Sequence, residues 1–417
     1  MTEPNSLPRL RTIDDADVYK SGRLAGHLRR QQDDVEFSYT ETYLDDPTAP
    51  GVAFTLPKRA GRFRATGGSV PAFFAGLLPE GLRLSAITTA ARTSEDDHLT
   101  ILLAVGADTI GDVQILPAGT LPSDPAPMFD ETATSGIDFT TLFSRATSTD
   151  IADVDRTALP GIQVKVSAQM ISTPVSSNRG PAILKLNPPD YPLLVENENF
   201  FLDMADACGI QVPAHHLARD ANGHAALFID RFDRVAEHGR TRRLAQEDAC
   251  QVLGRYPAAK YRITLQEAIK ALAEAVTTGR GSPSLATLRM LEIAAFSYLI
   301  GNGDLHGKNL SVRQNPGGIW EVTPAYDLLS TQPYLSWNDP MALPLYGRDG
   351  KLSYRWWAEA AIRLGITKRA IDRSLTRILD ASESWSDRVD TIGFNEKTTH
   401  HLTALMTERR RELRPGP

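Results

Sequence analysis

The sequence predicts an α+β protein with a strand-rich first half and a helical second half. Runs in which apolar and polar residues alternate recur before residue 236, and apolar residues at helical spacing dominate after it. A stretch rich in Pro, Ser, Thr and Asp lacks apolar periodicity and indicates a linker. We therefore expect an N-terminal α+β unit (1–117), this linker (118–136), a second strand-containing unit (137–235) and a helical unit (236–417).

Composition is that of an ordinary globular protein, with 41% hydrophobic and 23% charged residues among 417. The formal net charge of -6 argues against a surface that binds nucleic acid over its whole extent. Cys208 and Cys250 are far apart and lack metal-ligand spacing, which favours a reducing cytoplasm. We expect neither a signal peptide nor a membrane span, because no apolar run approaches about 20 residues.

The N-terminal unit contains a predicted sheet with two short helices. Two alternating runs flank a Ser-Gly turn and predict a β-hairpin, and further strands follow. The predicted strands are 16–20, 23–28, 35–39 and 112–116, and the predicted helices are 73–78 and 98–105. We expect no catalytic constellation in this unit.

The second unit carries the first candidate site residues. A loop around Gly161 precedes a predicted strand, Ala182–Leu186, in which Lys185 lies among apolar residues. A lysine in a half-buried strand needs an anionic partner, so Lys185 either binds a phosphate or lies on an edge strand. The Gly161 loop lacks the G-x-x-x-x-G-K-[ST] pattern, so it does not support a P-loop protein. In the next predicted helix, Glu198 either pairs with Lys185 or interacts with the helix dipole.

The most specific pattern is the segment Gly301–Ser311, which reads GNGDLHGKNLS. It follows a predicted helix (285–300) and places Asn309 five residues after Asp304; a short strand at 320–322 then leads to Asp327. Phosphoryl transfer needs this set, because one carboxylate orients the attacking hydroxyl while an amide oxygen and a second carboxylate hold magnesium. The absence of H-R-D and D-F-G motifs excludes an ordinary eukaryotic protein kinase.

Taken in chain order, these patterns predict a two-lobed kinase. The chain resembles the HipA family, the serine/threonine-kinase toxins of bacterial type II toxin–antitoxin pairs. The resemblance covers most of residues 15–330 and lies in FFAGLLPEG, GADTIGDVQILP, LPGIQVKVS, AILKLN, NENFFLDMADACGIQVP, FIDRFDR, RLAQEDACQVLG, GNGDLHGKNLSV and TPAYDLLS. It implies a protein-kinase-like fold, similar to phosphoinositide kinases, with an N-terminal α+β subdomain, a nucleotide lobe and an all-helical C-terminal lobe.

The resemblance also implies roles for individual residues. It makes Asp304 the catalytic aspartate and makes Asn309 and Asp327 the magnesium ligands. The nucleotide-binding residues that it implies are Lys185, the phosphate-loop residues Gly161, Gln163 and Lys165, the hinge residues Asp230 and Phe232, and the pocket neighbours His306 and Tyr326. It implies ATP and Mg²⁺ as cofactors, a helix-turn-helix antitoxin similar to HipB as partner, and DNA contact only through that antitoxin.

Two positions depart from the family pattern. Many relatives have a serine three residues before the loop glycine, and its autophosphorylation ejects the loop and silences the kinase. Ala158 occupies that place here, with Thr157 beside it, and Val164 replaces the usual acid before Lys165. We therefore expect that self-inactivation does not operate in the usual way.

Three functions follow as hypotheses. The favoured one is a Mg-ATP-dependent protein kinase toxin, with an aminoacyl-tRNA synthetase as a target suggested by the family. A small-molecule kinase is the second, because GDLHGKN also resembles the loop of aminoglycoside and choline phosphotransferases, although the N-terminal unit argues against it. The third is a largely non-catalytic, nucleotide-binding co-repressor.

The basic tail, Arg409–Arg411 with Arg414, is either a solvated helix end or a minor DNA contact.

Overall fold

The computed structural model describes residues 7–32, 34–123, 138–146, 171–177, 179–237, 240–335 and 337–415, and all structural statements concern these residues. The strands are β1 (Asp15–Lys20), β2 (Arg23–Gln31), β3 (Asp34–Tyr39), β4 (Arg62–Ala65), β5 (Val113–Pro117), β6 (Ile171–Ser177), β7 (Gly180–Leu186), β8 (His215–Arg219), β9 (Ala225–Asp230), β10 (Arg234–Glu237), β11 (Arg240–Arg243), β12 (Gln246–Asp248), β13 (Ser311–Gln314) and β14 (Trp320–Val322). The helices are α1 (Glu41–Asp45), α2 (Ala72–Ala75), α3 (Gly81–Ala91), α4 (His98–Val105), α5 (Phe139–Ala146), α6 (Leu194–Ala207), α7 (Ala249–Val252), α8 (Leu265–Thr278), α9 (Pro283–Ile300), α10 (Tyr354–Arg363), α11 (Lys368–Ser386) and α12 (Glu396–Leu413). Within the described ranges, each helix is too short or too polar to traverse a lipid bilayer.

The N-terminal unit is an antiparallel sheet in the order β4-β3-β2-β1-β5, and its helices share one core with it. Ser21 and Gly22, with φ of 50° and 76°, form the turn between β1 and β2. Positive φ at both turn residues matches the twist of a two-residue hairpin, which explains the Ser-Gly pair. The predicted hairpin and the strands that follow it are confirmed.

The second unit is built on an antiparallel sheet in the order β6-β7-β9-β8, against which α6 packs. Lys185 lies on β7, which is hydrogen-bonded to β6 on one side and to β9 on the other. Its side chain is almost completely buried. The hypothesis that Lys185 lies on an edge strand is therefore wrong, because both sides of its strand are paired.

In the helical unit, α9 runs through the core and is surrounded by α8, α11 and α12. Ser282 caps its first turn and Pro283 occupies the first helical position, both of which favour helix initiation. Gly301, with φ of 75°, ends the helix in the left-handed conformation that glycine adopts without strain. The chain leaves α9 directly into the predicted catalytic loop, which is thereby fixed to the core.

The predicted α+β class is confirmed, and the structure adds strands to the helical unit. β10 pairs with β11, and β12-β13-β14 form a small antiparallel sheet. The sequence patterns predict only the last of these strands. The strands of this small sheet have three or four residues each, too few for alternation to be recognised in the sequence.

Candidate active site

Lys185 forms a buried ionic cluster beside the cleft between the sheet and the helical unit. Its ammonium group donates to both oxygens of Glu198, at 2.7 and 2.8 Å, and to Oδ1 of Asp327 at 2.5 Å. Burial opposes the ammonium charge, but Asp327 and Glu198 outweigh burial and raise the pKa of Lys185. The predicted pairing of Lys185 with Glu198 is confirmed, and Asp327 from a distant loop joins the same cluster.

The predicted catalytic loop is closed by its own polar side chains. The backbone N–H of Asp304 donates to Oδ1 of Asn302 at 2.8 Å, and the amide nitrogen of Asn309 donates to the carbonyl oxygen of Asp304 at 3.0 Å. The amide nitrogen of Asn302 also donates to the carbonyl oxygen of Asp327 at 3.2 Å. The loop therefore holds Asp304, Asn309 and Asp327 in one local network.

Asp327 has an unusual backbone conformation, with φ of 53°. A residue other than glycine in this region costs on the order of 1 kcal/mol, and such strain is concentrated at functional sites. Its side chain is 18% exposed, whereas that of Glu198 is fully buried. Asp327 is thus the carboxylate of the cluster that a ligand in the cleft can reach.

The hinge residues lie at the end of β9. The carbonyl oxygen of Phe232 accepts a hydrogen bond from Arg313 at 2.5 Å, and its ring centroid lies 5.8 Å from that of Tyr326. The side chains that give this part of the cleft its apolar wall are Ile183, Ile229, Phe232 and Tyr326, and Asp230 also lines it. An apolar slot next to a connector suits a flat aromatic ring.

His306 is buried in the cleft, and both of its ring nitrogens lack a hydrogen-bond partner among the described residues. Burial, together with the ammonium group of Lys260, holds the pKa of His306 well below its usual value, so the ring is neutral. Gln246 also lines the cleft, and its side-chain oxygen is buried without a partner in the same set of residues. These unpartnered atoms leave the cleft able to form hydrogen bonds with a polar ligand.

Three site residues, Glu80, Lys260 and Tyr261, were not predicted from the sequence. Glu80 of the N-terminal unit accepts hydrogen bonds from Lys260 and Lys308 at the cleft, and the hydroxyl of Tyr261 donates to Oδ1 of Asp304 at 2.5 Å. The N-terminal unit, in which we expected no catalytic constellation, therefore contributes Glu80 to the lining of the cleft. No residue spacing indicates these contacts, because Glu80 precedes Lys308 by 228 positions.

The predicted phosphate loop lies outside the described residues. This applies to Gly161, Gln163 and Lys165, and also to Thr157 and Ala158. Their assignments remain predictions.

The described residues fit a nucleotide with its metal. The cleft offers a protonated lysine for phosphates, an apolar slot for a base and unpartnered polar atoms at His306 and Gln246. Asn309 and Asp327 supply amide and carboxylate oxygens, the ligands that Mg²⁺ prefers.

A sheet lobe and a helical lobe enclose this cleft, with the buried lysine–glutamate pair on one side and the Asp-x-x-x-x-Asn loop on the other. This arrangement defines a two-lobed kinase. The family model of the HipA-like C-terminal domain matches residues 157–385, and that of the HipA N-terminal domain matches residues 16–116. The chain belongs to the HipA family of serine/threonine-protein kinases, which confirms the resemblance.

Individual relatives agree with this assignment. A putative kinase of Sinorhizobium fredii, Y4mE, is 31% identical over 91% of this chain and 92% of its own length. The serine/threonine-protein kinase toxin HipA of Shewanella oneidensis is 28% identical over 75% of each chain. The fold is shared with a solved structure of the toxin–antitoxin system HipA, HipB and operator DNA from S. oneidensis MR-1. That match has a TM-score of 0.72 and 21% identity, and it covers 95% of this chain and 96% of the other.

Proposed function

We propose that this protein is a Mg-ATP-dependent serine/threonine kinase and the toxin of a type II toxin–antitoxin pair. In this proposal it inhibits growth by phosphorylating a cellular protein in the cytoplasm. The observation that carries the proposal is the meeting of Lys185, Glu198 and Asp327 beside the loop that holds Asp304 and Asn309. These residues come from a strand, a helix and two loops, and phosphoryl transfer uses this combination.

Each residue has a proposed role. Asp304 orients the acceptor hydroxyl and takes its proton as the oxygen bonds to the γ-phosphorus and the bond to the leaving ADP oxygen breaks. Lys185 binds phosphate oxygens and is positioned by Glu198. Asn309 and Asp327 hold magnesium, which when bound neutralises phosphate charge. The remaining nucleotide contacts are assigned to Asp230, Phe232, His306 and Tyr326, and to the loop of Gly161, Gln163 and Lys165.

The proposed partner is a HipB-like helix-turn-helix antitoxin, through which the kinase would meet operator DNA. The support is the fold shared with the HipA chain of a HipA, HipB and operator DNA complex. The acceptor is proposed to be a protein, and the family resemblance makes an aminoacyl-tRNA synthetase the first candidate. Within the basic tail, Arg409 donates to the Tyr298 carbonyl and Arg410 to the Leu379 carbonyl, which favours a packed helix end over DNA contact.

The test compares the wild type with Asp304→Asn in a bacterial lysate that contains Mg-ATP, using mass spectrometry to find new phosphosites. The substitution keeps the shape of the side chain and removes the proton acceptor. We expect transfer to fall by about 10²- to 10⁴-fold while ATP binding, measured by calorimetry, persists. Glu359→Gln, on the exposed face of α10, is the control and keeps wild-type transfer.

Other results would contradict the proposal in distinct ways. Phosphate found only on a metabolite or drug identifies a small-molecule kinase. Growth inhibition that is identical in Asp304→Asn, with ATP bound but not consumed, favours the co-repressor hypothesis. A phosphate on Thr157 would leave the proposed kinase function standing and would contradict only the expectation that self-inactivation does not operate in the usual way.

A further inference from the structure

The N-terminal unit places one carboxylate between two lysines of the helical unit. Oε1 of Glu80 accepts a hydrogen bond from Lys308 at 2.5 Å, and Oε2 accepts one from Lys260 at 2.5 Å. The side chains of Lys260 and Lys308 are only 1% and 5% exposed. Burial raises the pKa of Glu80, but Lys308 and Lys260 outweigh burial and hold it below its usual value. Glu80 is therefore ionised between two buried cations.

One of these lysines belongs to the catalytic loop. Lys308 lies between Asp304 and Asn309, and its ammonium group also donates to the carbonyl oxygen of Gly76 at 3.2 Å. Both described acceptors of this lysine thus come from the N-terminal unit. Because the loop is short and closed by its own hydrogen bonds, fixing Lys308 restricts the residues on either side of it.

The other lysine is next to a residue that contacts the proposed catalytic base. Tyr261 directly follows Lys260, and its hydroxyl donates to Oδ1 of Asp304 at 2.5 Å. The Lys260 carbonyl accepts a hydrogen bond from the N–H of Gly307 at 3.0 Å. The ring of Tyr261 packs edge-on against His306, with centroids 5.1 Å apart. The segment that contains Lys260 and Tyr261 is therefore attached both to Glu80 and to the catalytic loop.

We propose that Glu80 is a positioning residue for phosphoryl transfer. By holding Lys260 and Lys308, it keeps Tyr261 and the catalytic loop in the geometry that aims the Asp304 carboxylate at the acceptor hydroxyl. Without this carboxylate, two buried ammonium groups repel each other and the loop relaxes. The N-terminal unit is then a part of the active site. This inference rests on the proposed kinase function and extends it.

The first experiment uses Glu80→Gln in the full-length protein. It measures phosphate transfer from γ-labelled Mg-ATP to lysate protein as a function of ATP concentration. We expect the transfer rate at saturating ATP to fall by about 10- to 100-fold, with a smaller change in KM for ATP, because positioning residues act mainly on the chemical step. Full activity in Glu80→Gln would overturn the inference.

Asp112→Asn is the matched control. Asp112 belongs to the same unit, accepts a hydrogen bond from buried Lys20 at 2.7 Å and is not one of the residues that line the cleft. A general loss of stability affects both variants, whereas we expect the loss of saturating rate in Glu80→Gln alone. Equal loss in the two variants would assign Glu80 a merely structural role and overturn the inference. If Glu80→Gln does not fold, Glu80→Asp replaces it, because this substitution keeps the negative charge on a shorter side chain. Its saturating rate is compared with that of Asp112→Asn in the same way.

The second experiment uses Tyr261→Phe and the pH profile of the saturating rate. A hydroxyl that donates to a carboxylate stabilises its charged form, so we expect the acid limb of the profile to move to higher pH in Tyr261→Phe. If Glu80 acts through Tyr261, the limb in Glu80→Gln also departs from its wild-type position. An acid limb that lies at the wild-type pH in both variants would overturn the inference. A wild type that transfers no phosphate would instead overturn the proposed function itself.

Discussion

At the scale of single residues, the two carboxylate partners of Lys185 differ in how readily they can leave it. Its two carboxylate partners differ in exposure, since Glu198 is fully buried and Asp327 is 18% exposed. A buried carboxylate cannot leave its cation without a large desolvation cost, whereas the more exposed Asp327 can exchange this contact at a lower cost. Glu198 is thus the fixed partner of the lysine, and Asp327 is the partner that faces the cleft.

We predict that Glu198→Gln lowers kcat/KM for ATP at least about tenfold, because Lys185 loses the charge that fixes it toward the phosphates. The measurement is the phosphate-transfer rate at varied ATP concentration. The control is Glu196→Gln on the same helix, where Glu196 accepts from Asn187 at 2.8 Å. Equal effects of the two substitutions would show that α6 as a whole, and not the Lys185 pair, is responsible.

At the scale of elements, the short strand β12 joins the N-terminal unit to the helical unit. Its Glu247 is buried, and Oε1 accepts a hydrogen bond from the Phe54 N–H at 2.9 Å. Oε2 has no partner among the described residues. Burial raises the pKa of Glu247 to about 8, against the opposing effect of Lys20 and with small additions from Asp248 and Asp112. The strand therefore carries a protonated acid at neutral pH.

This protonated acid predicts a pH dependence of stability. The unfolded chain releases the Glu247 proton near 4.5, the ordinary pKa of a glutamate side chain, whereas the folded chain holds it up to about pH 8. The contribution to stability is complete below pH 4.5 and is lost as the pH rises to about 8, by about 4 kcal/mol between pH 5 and 8.

Glu247→Gln keeps the acceptor for Phe54 and removes the titration. We expect urea unfolding to show a smaller loss of stability from about pH 5 to 8 in this variant than in the wild type. Parallel curves for the two proteins would contradict the prediction.

At the scale of the whole molecule, a buried ionic junction fixes the N-terminal unit to the segment that contains the hinge, residues 230–234. Asp108 contacts Arg231 and Arg234, each at 2.8 Å, and Asp233 contacts the same two arginines. The N–H of Gly111 donates to Asp233 at 2.9 Å. Each arginine presents several donors in a fixed geometry to a carboxylate. The junction therefore fixes the orientation of the N-terminal unit over the cleft.

We predict that Asp108→Asn destabilises the whole protein by about 3–5 kcal/mol, because it leaves buried guanidinium groups without their counter-charge. The midpoint of urea unfolding measures the effect. Glu359→Gln, which removes an exposed pair with Arg355, is the control and changes stability by less than about 0.5 kcal/mol. An unchanged midpoint in Asp108→Asn would show that the junction does not stabilise the assembly of the units.

The sequence by itself determined the local elements and the part of the site that they contain. Alternation and helical spacing are properties of a few consecutive residues, so β1, β2, α4 and α9 were predictable. The Asp304 to Asn309 spacing lies within one loop and could be recognised for the same reason. The family resemblance then implied nucleotide and magnesium roles for Lys185 and Asp327, which are 142 positions apart.

Only the tertiary structure decided that β7 lies inside its sheet and that Glu80 reaches Lys308. It also decided the contact of Tyr261 with Asp304, across 43 positions. These contacts join distant segments whose side chains pair only because folding removes them from water. An unpaired charge is costly when it is removed from water. Which charges are removed from water depends on how the units pack, and residue spacing does not encode that packing.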